Sequence, residues 1–217
     1  MDNEIKTMVD RSNAYRLLAA CFYEPEPELF REEKLSENLA QLMRELSVPA
    51  EEPCRKLGEA LEGVNQDEML VEYSALFLGP FEIPAIPYAS VYLEKGRRLM
   101  GDSSMAVKKL YKQAGVAQEV EGPPDHIALE LEFMNFLLLK QVECRENGNG
   151  EEEAEYLRFE HLFLSEFLAG WMVPFANAIR EGSKSPFYLA LADLLVIFVS
   201  SEVRRIEQAA EELPAAA

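Results

Sequence analysis

The chain has 217 residues, 48% of them apolar, enough to bury a substantial core in one domain or two small ones. It carries 21 Lys and Arg against 39 Asp and Glu, a formal net charge of −18. A field of that sign repels nucleic acid and anionic lipid, so it excludes nucleic-acid binding and favours a cationic partner such as a Lys- and Arg-rich peptide. The same acidity also serves solubility.

Cysteine usage and hydropathy indicate a soluble protein of a reducing compartment. Cys21, Cys54 and Cys144 are odd in number and far apart, which predicts neither a disulfide framework nor a zinc knuckle. The charged N-terminal segment has no apolar stretch typical of a signal peptide. The longest apolar run, 187–199, is interrupted by Asp193 and is shorter than the about 20 residues that span a bilayer. We therefore expect a cytoplasmic protein without stable membrane insertion.

Apolar residues recur every three or four positions through the first third of the chain, which predicts helices. These periods run from Ile5 to Phe22, Leu35 to Leu46, Cys54 to Val64 and Met69 to Phe77. Asn65 and Glu68 resemble a capping box that opens the fourth helix. No segment alternates apolar and polar residues over a strand's length, so no sheet is predicted.

The segment GPFEIPAIPYASVY, residues 79–92, interrupts the helical pattern. Its prolines, Pro80, Pro84 and Pro87, exclude a helix and hold the chain extended. The loop is also apolar, unlike a solvated loop, because Phe81, Ile83, Ile86 and Tyr88 lie among these prolines. We expect this proline loop to pack on the core or on a partner.

Helical periodicity resumes after the proline loop and continues to the C-terminal region. The predicted helices cover about 90–100, 103–114, 124–145, a long stretch from 151 that Pro174 kinks or splits, and 186–208. Gly115 follows the second of these helices, and Asn147 to Gly150 end the third. The sequence therefore predicts an all-α protein, a single compact bundle of about nine to eleven helices.

The domain organisation follows from the turn signals and from the absence of a repeat. No fixed period recurs, so a solenoid is not predicted. We expect one domain over 1–217, with sub-parts 1–114 and 125–217 joined by a Pro- and Gly-containing hinge at 115–124. A stiff hinge permits domain swapping, so both a monomer and a domain-swapped dimer remain open.

The chain shows no nucleotide-binding glycine loop, nucleophile elbow or H-E-x-x-H motif. His126 and Glu130 are four residues apart, which is half of a metal site if His161 or Asp125 joins them, or else an ordinary helix pair. Asp125 is also expected to cap the helix that follows it. We predict no catalytic residue, no metal and no cofactor.

Several motifs in order resemble a known family. They are Y-S-A-L-F-L-G-P at 73–80, I-P-A-I-P-Y-A-S-V-Y at 83–92, R-R-L-M-G at 97–101 and P-P-D-H-I-A-L-E-L-E-F-M at 123–134. Together they resemble the TorD/DmsD/NarJ family of redox-enzyme maturation chaperones. Family members are all-helical cytoplasmic proteins that bind apo-molybdoenzymes, often at a twin-arginine leader, before cofactor loading and export.

The resemblance implies a set of partner-binding residues. They are Tyr73, Leu76, Phe77, Gly79, Pro80, Pro87, Tyr88, Ser90, Asp125, His126 and Glu130. We expect the apolar proline loop to receive the apolar part of a leader, and Asp125 and Glu130 to bind its arginines. His126 would orient Asp125 or donate to a peptide carbonyl, and its protonation would tune release near neutral pH. The family's late H-L-x-x-W motif is altered, because Phe167 stands in the histidine position.

Three functions follow, in order of preference. The first is a non-enzymatic cytoplasmic chaperone of anaerobic respiration, which holds the apo catalytic subunit of a molybdenum or tungsten oxidoreductase at its signal peptide. The second is a NarJ-like assembly chaperone for a nitrate reductase that is not exported. The third is a small metal- or nucleotide-dependent enzyme, which a stoichiometric metal in the purified protein would support.

Overall fold

A computed structural model describes residues 3–79, 82–116 and 122–212, the last four without their side chains. It confirms the predicted all-α class, with eleven α-helices and no strand within those residues. The helices are α1 (Asn3–Ala20), α2 (Pro27–Glu32), α3 (Leu35–Glu45), α4 (Glu51–Leu61), α5 (Gln66–Tyr73), α6 (Ser90–Leu93), α7 (Asp102–Gln113), α8 (Ile127–Glu146), α9 (Gly150–Phe163), α10 (Ala169–Gly182) and α11 (Pro186–Glu212).

Three long helices carry the core. α1 packs against α8 and α3, α8 packs against α9, and α11 packs against α4 and α10. Their apolar residues are removed from solvent almost completely, as at Leu18, Leu131 and Phe198, each with no exposed surface. Because α8 is covered by α1 on one side and α9 on another, it is apolar over most of its circumference.

Helix boundaries agree with the sequence where a capping signal is present. The capping box of α5 is confirmed: the Glu68 N–H donates to the Asn65 side chain at 2.9 Å, and Glu68 accepts from the Asn65 N–H. Gly115, with φ +86°, follows α7 as predicted. Of the predicted hinge at 115–124, residues 117–121 lie outside the described residues.

The predicted helix over 90–100 is too long. α6 ends at Leu93, and residues 94–100 form an irregular loop. Gly96, Arg97 and Met100 adopt positive φ values of 84°, 54° and 59°, which a right-handed helix does not accommodate. The six-residue α2 was not predicted, because a helix shorter than two turns is too short to show a recognisable apolar periodicity.

The chain from 150 to 182 is helical throughout, and Pro174 does not split it. Pro174 lies inside α10, whereas the helix changes type earlier, in a π-helical turn at Leu164–Leu168 that joins α9 to α10. A second π-helical turn, Ser74–Leu78, extends α5. Neither turn has a proline or glycine that could have predicted it.

A buried ion cluster ties α1 to α9 and α11. The Arg11 guanidinium donates to Glu202 at 2.7 Å and also to Glu160, and Gln141 donates to Glu160 at 2.7 Å. Burial alone would lower the pKa of Arg11, but the carboxylates of Glu202 and Glu160 raise it, so the guanidinium remains charged. The buried carboxylates are thus matched by a buried cation.

Two helical stretches, Gly150–Gly182 and Pro186–Gln208, are long and apolar enough to cross a membrane by length and composition. The apolar run at 187–199 is shorter than a membrane span, but the helix that contains it extends further and passes this test. Core helices of soluble proteins pass the same test, and 56% of the apolar window in Pro186–Gln208 is buried within this fold. Here α11 serves as a core helix.

Candidate functional site

The proline loop and the start of α8 pair through their backbones. The Ala89 N–H donates to the Asp125 carbonyl, and the Ile127 N–H donates to the Pro87 carbonyl, each at 2.9 Å. This antiparallel exchange fixes the loop to the helix with two hydrogen bonds between largely buried segments. The two motifs that carry the family resemblance are therefore one structural unit, although 35 residues separate Ser90 from Asp125.

Asp125 caps a different helix from the one predicted. Its Oδ2 accepts from the Ser90 N–H at 2.7 Å, at the first turn of α6, and its side chain is fully buried. The cap of α8 is His126, whose Nδ1 accepts from the Ala128 N–H at 3.2 Å. The prediction that Asp125 caps α8 is wrong, because the chain at 125 is still paired with the proline loop and α8 begins two residues later.

Three aromatic side chains meet where the proline loop pairs with the start of α8, a contact that we call the junction. Tyr88 lies opposite His126 in the antiparallel bridge, with ring centroids 5.2 Å apart in an edge arrangement. Tyr23, just after α1, also stacks on His126, with centroids 6.3 Å apart and planes 17° apart. Tyr23 is 39% exposed, so this aromatic group reaches the surface.

His126 is neutral at physiological pH. Burial lowers the pKa of His126 to about 4, against a smaller opposing effect of the Asp125 carboxylate. Its Nδ1 already accepts a hydrogen bond from the Ala128 N–H, which requires that nitrogen to be unprotonated. The prediction that protonation of His126 tunes release near neutral pH is therefore wrong.

Glu130 lies beneath the junction. It is fully buried, and its Oε2 accepts from the Trp171 indole N–H at 2.9 Å. Burial raises the pKa of Glu130 well above its ordinary value, against a smaller opposing effect of the hydrogen bond from Trp171. The expectation that Glu130 presents a charge to a partner's arginine is therefore not met in this structure, because its side chain is fully buried.

Three buried side-chain oxygens at the junction have no hydrogen-bond partner among the described residues. They are Asp125 Oδ1, Ser90 Oγ and Glu130 Oε1. Most buried polar atoms in proteins are satisfied, so this group is unusual. The junction therefore holds unused hydrogen-bonding capacity. No set of three or more His, Cys, Asp or Glu in the described ranges is placed to hold a metal ion.

Exposed carboxylates surround the aromatic group. Glu132 and Glu24 are both exposed. Burial, with a hydrogen bond to Glu132, raises the pKa of Tyr23, and burial, with the charge of Glu24, raises the pKa of Tyr73. We call this set the aromatic–acidic surface; its members are Tyr23, Glu24, Tyr73, Tyr88, His126 and Glu132. Sequence reasoning missed Tyr23, Glu24 and Glu132.

Other predicted site residues are packing residues in this structure. Leu76 and Phe77 are 2% and 3% exposed, and the Phe77 ring packs edge-on against Tyr188 with centroids 5.3 Å apart. The Leu76 carbonyl accepts from the Ala85 N–H at 3.1 Å, so this turn anchors the proline loop from below. They position the loop rather than line its exposed face.

Gly79 makes the sharp exit from the π-helical turn into the proline loop. Its φ is +38°, and a Cβ there would lie 3.1 Å from the Glu82 carbonyl oxygen. The Gly79 N–H donates to the Ser74 carbonyl at 2.6 Å. The positive φ and the close approach both favour glycine at this position. Pro80, the next predicted site residue, lies outside the described residues.

Comparison with known proteins assigns the family. The family model described as nitrate reductase delta subunit matches residues 19–177. The match covers most of the chain, so the protein belongs to this family. The resemblance drawn from the sequence motifs is thereby confirmed.

Three individual proteins are between 22% and 33% identical to this chain over the aligned residues. A Ferrimonas balearica protein named chaperone protein TorD is 33% identical over 175 residues, 75% of each chain. An Aliivibrio fischeri protein of the same name is 31% identical over 141 residues, and the chain spans 64% of its length. A crystallised redox enzyme maturation protein from Archaeoglobus fulgidus is 22% identical with a TM-score of 0.48, over 91% of this chain and 93% of that one.

Proposed function

We propose that the protein is a cytoplasmic maturation chaperone rather than an enzyme. It binds the apo catalytic subunit of a molybdenum or tungsten oxidoreductase at its twin-arginine leader until the cofactor has been inserted. Family membership and relatives named chaperone protein TorD support this function. The observation that carries it is the aromatic–acidic surface, which combines ring faces with carboxylates at the junction of the family's two motifs.

This surface suits a guanidinium group. The Tyr23 ring is exposed and held by His126, so it offers a fixed face for cation–π contact, in which arginine is favoured. Glu132 lies close enough to the same tyrosine to raise its pKa and is open to solvent. A guanidinium stacked on Tyr23 would therefore find a carboxylate at its edge for a charge-assisted hydrogen bond.

Asp125 and His126 support this surface from below. Asp125 holds the start of α6, and His126 holds the start of α8 and the two tyrosine rings. Because the bridge pre-orders Tyr88, the apolar part of a leader meets a surface that needs little further ordering. The net charge of −18 speeds the encounter with a basic peptide and makes that rate sensitive to salt.

The test is fluorescence anisotropy with a synthetic leader that contains two consecutive arginines, and with a lysine-substituted copy. We expect Glu132→Gln and Tyr23→Ala each to weaken binding about tenfold, as expected from the loss of a charge-assisted contact. The matched controls are Glu155→Gln and Leu157→Ala, which alter an exposed acid and an exposed apolar residue on α9. Binding that is equal for the native and a scrambled leader would overturn the proposal.

A second function has a specific observation in its favour. The matching family is described as nitrate reductase delta subunit, which supports a NarJ-like assembly chaperone for a client that is not exported. The same surface would then bind a basic N-terminal segment without a twin-arginine motif. Tighter binding of such a segment than of the twin-arginine leader, still dependent on Glu132, would select this function.

A further inference from the structure

The loop between α6 and α7 is held at both ends by one carboxylate. Glu94 Oε1 accepts from the Ser103 N–H at 2.7 Å and from its hydroxyl at 2.8 Å. A Cβ on Gly101 would lie 2.6 Å from the same carboxyl group, so glycine is needed for the loop to close on Glu94. The closure gives residues 95–100 a defined shape despite their exposure.

This loop is basic in an acidic protein. Lys95, Arg97 and Arg98 place three of the chain's 21 cations within four residues, and all three are exposed. None of the ion pairs found in the described part of the chain involves these three cations. The pKa of Glu94 is lowered mainly by its hydrogen bonds from Ser103 and to a smaller extent by the charge of Arg98. The cations are therefore available to an anion from outside.

Apolar side chains accompany the cations. Leu99 and Met100 are 47% and 50% exposed at the end of the loop, and Met105 is 54% exposed in the first turns of α7. Met100 and Arg97 also hold left-handed backbone conformations without being glycine, with φ values of 59° and 54°. Such conformations persist when the surrounding structure fixes them, and they cluster at functional sites.

The loop borders an open groove of about 600 Å³ on α10. Arg97 lies on one wall with Tyr92, and the floor includes Pro174, Asn177 and Ala178, one face of α10. The groove also includes Glu181 and Gly182 at the end of α10, together with Pro84 of the proline loop. Val173, one position before Pro174 on α10, is 51% exposed. Arg97 thus connects the basic loop to the groove.

We propose that this surface, residues 95–100 together with the α10 groove, binds an acidic segment of a partner protein that also carries apolar side chains. The bound segment is expected to be acidic, because the three cations repel the basic end of a leader and attract carboxylates. The acidic residues of the segment would lie at Arg97 and Arg98, and its apolar residues over Pro174 and Ala178, away from Glu181.

A peptide segment fits better than a membrane surface. Three cations contribute only about 1 kcal/mol each at an anionic lipid surface, so alone they bind a membrane weakly. A groove is concave and admits a chain segment but not a plane of headgroups. The surface differs in sign from the aromatic–acidic surface, so it stands independently of the proposed leader site.

The test uses an array of 12-residue peptides, each with four acidic and four apolar residues, and the full-length protein. We expect a subset to bind, and its affinity to fall at least tenfold in the double variant Arg97→Gln, Arg98→Gln. The matched control is Lys108→Gln, Lys109→Gln, which removes two neighbouring exposed cations of α7. Glu132→Gln should leave these peptides bound, and the loop variant should leave leader binding intact.

Three outcomes would overturn the proposal. One is the absence of any binding in the array, and another is equal loss in the two double variants. The third is cosedimentation with vesicles of phosphatidylglycerol and phosphatidylcholine that depends on Arg97 and Arg98, without peptide binding, which would assign the loop to a lipid surface. A protein that binds the acidic peptides but no leader would overturn the leader proposal and leave this one standing.

Discussion

Two buried acidic clusters in this protein are built in opposite ways. In the first, Glu160 and Glu202 share the Arg11 guanidinium between α1, α9 and α11. In the second, Asp125 and Glu130 lie beneath the paired motifs and receive hydrogen bonds only from neutral donors, the Ser90 N–H and the Trp171 indole. The first cluster has a matched cation, and the second keeps an oxygen on each carboxyl group without a partner among the described residues.

The difference separates a structural cluster from a candidate site. A buried ion cluster with its cation in place fixes how three helices align, and the removal of one member is strongly destabilising. In the second cluster Glu130 is held by the neutral Trp171 indole donor and its pKa is raised by burial, so it tolerates replacement by the isosteric glutamine. The predictions below test this contrast.

The largest expected effect is on the paired cluster. Arg11→Met leaves Glu160 buried without a cation among the described residues and leaves Glu202 with only the partly exposed Arg205, at 3.3 Å, so we expect a loss of about 3–5 kcal/mol in the free energy of unfolding. Urea denaturation monitored by circular dichroism measures it. The triple variant Arg11→Met, Glu160→Gln, Glu202→Gln should recover much of the loss. A loss below about 1 kcal/mol, in the range of an exposed pair, would mean that the cluster is not structural.

The unpaired cluster should respond to pH in a defined direction. Burial raises the pKa of Glu130 in the folded protein, so the stability it contributes is full below its unfolded pKa and is lost as pH rises toward the folded pKa. Glu130→Gln mimics the protonated acid and still accepts from Trp171. We expect the variant to gain stability relative to the wild type between pH 5 and pH 8, as measured by urea denaturation.

The exposed Glu132→Gln variant is the control for this experiment, because its side chain is open to solvent. It should show no comparable gain with rising pH. If the stability difference between Glu130→Gln and the wild type stayed constant from pH 5 to pH 8, the carboxyl would be ionised in the folded protein and the contrast between the clusters would fail.

The smallest effect concerns the cap at the junction. His126→Ala removes the acceptor for the Ala128 N–H, and we expect a loss of about 1 kcal/mol in the free energy of unfolding. His126→Asn keeps an acceptor near the position of Nδ1 and should restore most of that loss. Equal stability of the two variants would show that the imidazole does not act as the cap of α8.

The same pair of variants separates the cap from the aromatic contact. The substitution His126→Asn removes the ring that holds Tyr23 and Tyr88, so leader binding should weaken even where stability is kept. Because the pKa of His126 is about 4, leader affinity of the wild type should not change between pH 6 and pH 8 through this residue.

The fold was largely predictable because most helices have a clear apolar periodicity and a capping or turn residue at one end. Asn65, Gly115 and the turn after Glu146 open or end helices where the sequence predicts. The overlong helix after Ser90 was not predictable from apolar spacing, since Leu93 and Met100 keep a helical interval. Its end depends on left-handed residues and on the Glu94 contact with Ser103, which is formed only in the tertiary structure.

The candidate site was predicted in part. The structure brings Pro87, Tyr88 and Ser90 against Asp125 and His126, as the hypothesis of a shared site requires, while their binding role remains a prediction. The apolar periodicity of α8 could have shown that Glu130 is buried and does not bind an arginine at the surface. Glu130 lies on the helix face of Ile127, Leu131 and Met134, which is buried, whereas Glu132 lies off that face.

The aromatic partner could not have been found in the same way. Tyr23 follows α1 in the first part of the chain, far in sequence from α8, and no local pattern links the two. Its contact with His126 depends on the packing of α1 against α8. Long-range juxtapositions of this kind require the fold.

Photo-cross-linking from position 23 tests the central claim most directly. A photoreactive phenylalanine analogue replaces Tyr23, and in a control protein it replaces Tyr156, a partly buried tyrosine on α9. With a bound twin-arginine leader, we expect cross-links from position 23 that mass spectrometry maps to residues beside the two arginines, and few from position 156. Bound leader with no cross-link from position 23, or equal yields from both positions, would contradict it.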